Sequence, residues 1–195
     1  MMRSVFLFLL VLCISLSVKA RNAADSLKLF TADNAHIQYT GRIDFTDKLK
    51  PRIWAPGVYI KARFKGTRCQ ILIHDEASGS NHNYLEIVID NLPPYRIKLA
   101  DKINTISVPT GLSGGEHTVL ICKDTESNIG YIDFIGLRCD KLLRLPGKPK
   151  RKIEYFGDSI TSGTGMDLST IPCDKGQWYD QHNAYMSSGR VPRAT

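Results

Sequence analysis

Ser159 is the residue best placed to do chemistry. It sits in IEYFGDSITSG, residues 153–163, where an apolar stretch ends at Gly157-Asp158-Ser159 and the chain then passes through Gly163 and Gly165. The pattern predicts a strand that delivers a serine onto a sharp turn, with its hydroxyl exposed and the next backbone N–H groups pointing outward. Acyl transfer needs this arrangement, because the hydroxyl attacks a carbonyl while N–H groups stabilise the oxyanion that forms. A serine that merely caps a helix would carry the same local pattern. Asp158 is expected to brace the turn by accepting backbone N–H bonds rather than to react. Among the aromatics, Trp54 in Trp-Ala-Pro-Gly is suited to stack on a sugar ring or to plug one end of a sandwich. Trp178, with Tyr179 beside it, is suited either to line a substrate cleft or to pack in a core.

The remaining residue types exclude more than they suggest. Five histidines, at positions 36, 74, 82, 117 and 182, stand at no metal-ligand spacing, and the oxygen-rich stretch 74–83 lacks the regular spacing of a calcium loop. No metal site and no cofactor are expected. The net charge of +7 is concentrated in Lys141, Arg144, Lys148, Lys150, Arg151 and Lys152, within one short connector without interleaved aromatics. That distribution argues against nucleic acid as a partner. Residues 1–20 combine a basic start, an apolar run over 5–18 and small residues at Val18 and Ala20, and so predict a secretory signal; cleavage after Ala23 or Ala24 fits equally. The expected location is outside the cytoplasm, secreted or periplasmic, with no membrane span left once the signal is removed. Removal would leave Cys69, Cys122, Cys139 and Cys173, which permit either buried free thiols or one bridge.

The elements that must position Ser159 are β-strands for most of the chain. Alternating segments at 36–40, 42–45, 58–64, 69–74, 84–89, 95–99, 104–108, 117–122 and 131–137 are separated by turn residues, with Lys65-Gly66 read as the end of one strand. Short strands at this spacing, with no amphipathic helical window between them, predict an antiparallel β-sandwich over residues 33–140. Residues 141–152 (KLLRLPGKPKRK) read as a basic inter-domain linker. Residues 153–156 then predict a strand buried on both faces, followed after the glycine-flanked turn by a helix from about Asp180, which is how an α/β domain opens. Residues 153–195 are too few to bury a parallel sheet on both faces, and Gly189 and Pro192 predict a disordered tail.

Gly157-Asp158-Ser159 followed by Ile160-Thr161 resembles the first sequence block of the SGNH (GDSL-type) hydrolases. Gly41-Arg42-Ile43-Asp44, Pro51-Arg52, Trp54-Ala55-Pro56-Gly57-Val58 and Asn83-Tyr84 resemble the N-terminal jelly roll of carbohydrate esterase family 2. The resemblance covers about residues 33–186 and implies a jelly-roll sandwich followed by the first β-α element of an SGNH-type α/β hydrolase domain. It implies Ser159 as nucleophile, the Ser159 backbone N–H as one oxyanion donor, and acetylated poly- or oligosaccharide of the xylan type as substrate. The family's later glycine, asparagine and histidine blocks have no counterpart here, and His182 matches a helix region rather than the base. The resemblance therefore implies an incomplete, inactive fragment of a secreted acetyl esterase. The alternatives are a non-catalytic carbohydrate-binding sandwich and an SGNH acylhydrolase acting on another ester.

Overall fold

The computed structural model describes residues 27–187. The leader expected over residues 1–20 and the tail beyond Ser187 lie outside the described residues. Nine strands form among the described residues: β1 Lys28–Thr31, β2 Gln38–Thr40, β3 Arg52–Ile53, β4 Tyr59–Ala77, β5 Tyr84–Ile89, β6 Tyr95–Lys98, β7 Ile103–Ser107, β8 Glu116–Lys123 and β9 Gly130–Leu143. All their pairings are antiparallel. The backbone path runs β1-β9-β4-β8-β5-β6, with β2 and β7 added to β4 and β3 added to β9. The protein is mainly β with almost no helix, as expected for a jelly-roll-like sandwich.

β4 is the spine. Its first part, Tyr59 to Lys65, pairs with β8, and its later part, Cys69 to Ala77, pairs with β9, while His74 back to Gln70 also pairs with β7. The sequence pattern placed a turn at Lys65-Gly66, but the chain runs through it as one strand with a register shift between Lys65 and Cys69. The cause is visible in the side chains. Ile60, Ala62 and Phe64 face inward at even positions, whereas Cys69, Ile71 and Ile73 face inward at odd positions. An inserted residue is what reverses strand parity and keeps the apolar face on the core, and a bulge supplies it. Gly66 is required there: its φ is +120°, and a Cβ would stand 2.1 Å from a carboxylate oxygen of Asp140.

Both halves of β4 contribute to one core with Ile87, Val119, Phe134 and Leu137, all fully buried. Two expectations shift. Residues 42–45 form only an isolated bridge, Asp44 to Arg52, instead of a strand. β1, whose Phe30 packs on the core, lies upstream of the segment that alternation picked out.

Beyond β9 the expected α/β opening is not formed. Residues 153–156 are not a strand, and Ile153 and Phe156 are each 77 % exposed. A strand exists through its ladder partners, and none of the described strands pairs with this one. The helix expected from Asp180 is reduced to a 3₁₀ turn at Ala184–Met186. Tight bonds, Asp180 N–H to the Gln177 carbonyl and His182 N–H to the Tyr179 carbonyl, take the backbone groups an α-helix would need.

Candidate active site

The Ser159 turn is tightly self-bonded. Asp158 Oδ1 accepts the Ile160 N–H at 3.0 Å, so Asp158 braces the turn as expected. The Asp158 carbonyl accepts the Ser162 N–H at 3.1 Å, and the Ser159 carbonyl accepts the Thr164 N–H at 2.9 Å. A Cβ on Gly157 would lie 2.0 Å from Thr161 Oγ1, so a side chain two residues before the serine would displace Thr161. Ser159 itself is exposed, and its hydroxyl has no hydrogen-bond partner among the described residues. The turn can present a nucleophile; what it lacks locally is a proton acceptor.

His182 does not supply one. Its ring is fully buried, neither nitrogen has a hydrogen-bond partner, and its nearest carboxylate is Glu126 at 3.8 Å. Burial holds its basicity below that of an ordinary histidine. Its ring packs edge-on against Trp178, with centroids 5.0 Å apart. Trp178 is 58 % exposed and stands on this C-terminal segment. Trp54 is 44 % exposed and leans on Tyr131 of β9 at 4.3 Å, where the Arg52 guanidinium also covers the Tyr131 ring at 3.9 Å. Both tryptophans are open to a ligand, but no contact joins either of them to Ser159.

A polar clasp, unseen in the sequence, fixes the segment that carries this turn. Arg96 of β6 has a side chain only 6 % exposed. It donates to the Asp180 carbonyl at 2.6 Å and to the His182 carbonyl at 2.5 Å. Its guanidinium lies 3.9 Å over the Tyr84 ring, and Tyr84 Oη donates to Asp180 Oδ1 at 2.7 Å. Asn183 Nδ2 bridges Glu86 of β5 at 2.9 Å and Asp167 at 3.0 Å. The Asn183 N–H then bonds the Gly163 carbonyl at 2.9 Å, and Thr164 Oγ1 donates to Glu126 at 2.7 Å. The Ser159 turn is thereby tied to the sandwich through Asn183 and Glu126.

The clasp is electrostatically crowded. Burial pushes the Glu86 and Asp124 carboxyls up. For Asp167 burial acts the same way, but hydrogen bonds from Ser169 and Asn183 and the Arg96 charge hold it below the usual carboxylate range. Burial drives the Lys123 ammonium down to about 7, and it donates to the Thr125 carbonyl at 2.6 Å. The one sequence signal for this cluster is Glu86, a single carboxylate inside the apolar strand YLEIVI, since a buried charge requires partners.

The sandwich also holds a second serine near a histidine. Ser113 Oγ lies 3.3 Å from His117 Nε2, and His117 Nδ1 lies 2.7 Å from Asp90 Oδ2. His117 Nε2 is nearer still, 3.1 Å, to the Ser113 carbonyl. A carbonyl accepts only, so this nitrogen carries a proton and cannot act as a base toward Ser113.

Comparison with known proteins agrees with the sandwich. Residues 39–149 match the family model "Carbohydrate esterase 2 N-terminal". The chain is 32 % identical over 168 residues to the cellulase/esterase CelE of Acetivibrio thermocellus, covering 82 % of this chain and 19 % of the relative. It is 29 % identical over 183 residues to an acetylxylan esterase / glucomannan deacetylase of Cellvibrio japonicus, covering 91 % of this chain and 50 % of the relative. Among solved structures, a family two carbohydrate esterase from Cellvibrio japonicus superposes with a TM-score of 0.71 at 28 % identity, covering 82 % of this chain and 47 % of that one. A family two carbohydrate esterase from Clostridium thermocellum in complex with cellohexaose gives 0.65 at 31 % identity, with 77 % and 45 % covered. The chain thus spans half or less of each of these proteins. Matched through most of its sandwich, it belongs to carbohydrate esterase family 2.

Proposed function

We propose that this chain is the N-terminal part of a secreted carbohydrate O-acetyl esterase acting on xylan-type polysaccharide, with Ser159 as nucleophile. The observation that carries the reading is the exposed, unpartnered Ser159 hydroxyl on a turn that the Arg96 clasp ties to a carbohydrate esterase 2 sandwich. In the proposed reaction Ser159 Oγ attacks the acetyl carbonyl and the sugar hydroxyl leaves. The Ser159 N–H donates to the oxyanion, and water then releases acetate from the acyl-enzyme. No cofactor enters. The proposed organisation is a signal over 1–20, the sandwich expected over 33–140, which β1 and β9 extend to Lys28 and Leu143, then the rest of the linker expected over 141–152 and the start of the SGNH domain over 153–195.

The described residues offer no base within reach of Ser159, so turnover by this chain alone is expected to be negligible. Loss of one oxyanion donor alone costs about 10²–10³ in rate. Two measurements separate the parts of the proposal. A longer form carrying these residues should release acetate from acetylated xylan and be labelled at Ser159 by a fluorophosphonate. Ser159→Ala should abolish both, and retained acetate release would remove Ser159 from the mechanism. A second reading, a sandwich that binds glycan without catalysis, is favoured by the exposure of Trp54 on Tyr131. It predicts retention on a xylan column that Trp54→Ala weakens and Ser159→Ala leaves unchanged.

A further inference from the structure

Cys69 of β4 and Cys139 of β9 are direct partners across the sheet, the first paired position beyond the Gly66 bulge. They are 1 % and 0 % exposed, and both are thiols. Opposed residues on antiparallel strands point to the same face, with Cα atoms about 4.5 or 5.5 Å apart according to their place in the ladder. Either separation lies inside the window of about 4.4–6.8 Å that a disulfide spans. The two thiols also act on each other's ionisation. Contact with Cys139, and then burial, pushes the Cys69 thiol up, while contact with Cys69 holds the Cys139 thiol below its ordinary value. Among the described residues the other cysteines have no such partner. Cys122 faces Tyr59 on one side and Glu86 on the other, and Cys173 is exposed on the C-terminal segment.

We propose that Cys69 and Cys139 form a redox pair that closes into a cross-strand disulfide and locks the register of β4 against β9 where the bulge interrupts it. A bond there would act beside an interruption of the β4–β9 ladder, since the pairing is lost between Lys65 and Cys69. The oxidant is a disulfide donor. The thiolate of one cysteine attacks one donor sulfur and expels the other as a thiolate, giving a mixed disulfide. The second cysteine, after losing its proton, then attacks the sulfur of the first and expels the second donor thiolate. The protein loses two electrons and two protons, and the donor becomes a dithiol or two thiols. Because both sulfurs are buried, the exchange belongs to folding, before β4 and β9 close over them.

The test uses oxidised glutathione as donor and does not depend on where the protein resides or on esterase activity. The chain is refolded from urea with excess oxidised glutathione, free thiols are alkylated in denaturant, and the protein is digested with trypsin without reductant. The expected product is the peptide of residues 69–96 joined to that of 139–141, separated on adding dithiothreitol. Closing a loop of about 70 residues should raise the melting temperature of the oxidised protein by roughly 10 °C over the reduced form. Cys122→Ala should keep both results, and the double variant C69A/C139A should lose both. Alkylated Cys69 and Cys139 in the oxidised wild type, or their linkage to Cys122, Cys173 or glutathione, would overturn the proposal. The wild-type digest decides it even if the double variant does not fold.

Discussion

His117 is bonded through both ring nitrogens, to Asp90 Oδ2 at 2.7 Å and to the Ser113 carbonyl at 3.1 Å, and only the doubly protonated ring can serve both acceptors. The Asp90 bond raises its pKa, against an opposing effect of burial. Asp90 also accepts the Thr118 N–H at 2.7 Å and holds a left-handed backbone, φ 51°, at the end of β5. The cation therefore locks a hairpin corner. A histidine whose folded pKa is raised contributes stability that is complete below its unfolded value, about 6.5, and is lost as pH climbs through the folded one. The melting temperature should accordingly fall as pH climbs above about 6.5. His117→Gln should flatten that slope, and a slope unchanged by this substitution would show that the charge contributes nothing. Asp90 and His117 belong to different hairpins, so their meeting was hidden in a linear reading. Ser159, by contrast, was legible because its turn chemistry is local: Gly157, Asp158 and Gly163 all lie within four residues of it.

At the scale of elements, strands were legible wherever parity was constant. β5, β6 and β8 fall where alternation placed them, within a residue or two at their ends. β4 was split because a bulge reverses parity, which alternation cannot distinguish from a turn. The C-terminal segment was misread as helical for a different reason: its backbone groups are claimed by a distant strand. Arg96 takes two of its carbonyls, and Gly163, at φ +85°, comes so close that a Cβ would lie 2.3 Å from the Asn183 carbonyl oxygen. Arg96→Met should therefore leave Asp124 and Asp167, 3.6 and 3.9 Å from its Nε, without their buried cation. Removing one member of such a buried set costs about 3–5 kcal/mol. The amides of residues 163–187 should lose hydrogen-exchange protection while those of β4 and β9 keep theirs. Arg96→Lys should not rescue it, since one ammonium cannot reproduce the two-carbonyl fork.

The molecule as a whole is organised as one large apolar core and one polar seam. The main core draws on residues from Ala32 to Leu142, all within the strands and loops of the sandwich. The C-terminal segment contributes instead to two small clusters, Tyr185 with Leu120 and Cys122, and Tyr179 with Tyr84 and Ile129. Between core and segment lie Glu86, Asp124, Asp167, Arg96 and Lys123, all but closed to solvent. Apolar burial gives the sandwich its own driving force, whereas a buried ionic seam returns little net stability because desolvation offsets attraction. The two parts should therefore separate before the whole unfolds. In a Trp54→Phe background, the fluorescence of Trp178, on the segment, should change in urea at a lower midpoint than the far-ultraviolet β signal of the sandwich. Glu86 sharpens the expectation. Burial raises its carboxyl pKa, so the seam is least stable above that raised value and gains stability as pH falls through it toward the ordinary carboxylate range. Glu86→Gln, which keeps an acceptor for Asn183 without the charge, should move the first midpoint up at pH 8 and leave the second in place. Coincident midpoints in both proteins would instead mean that seam and core unfold as one unit, with the Ser159 turn held as firmly as the sandwich itself.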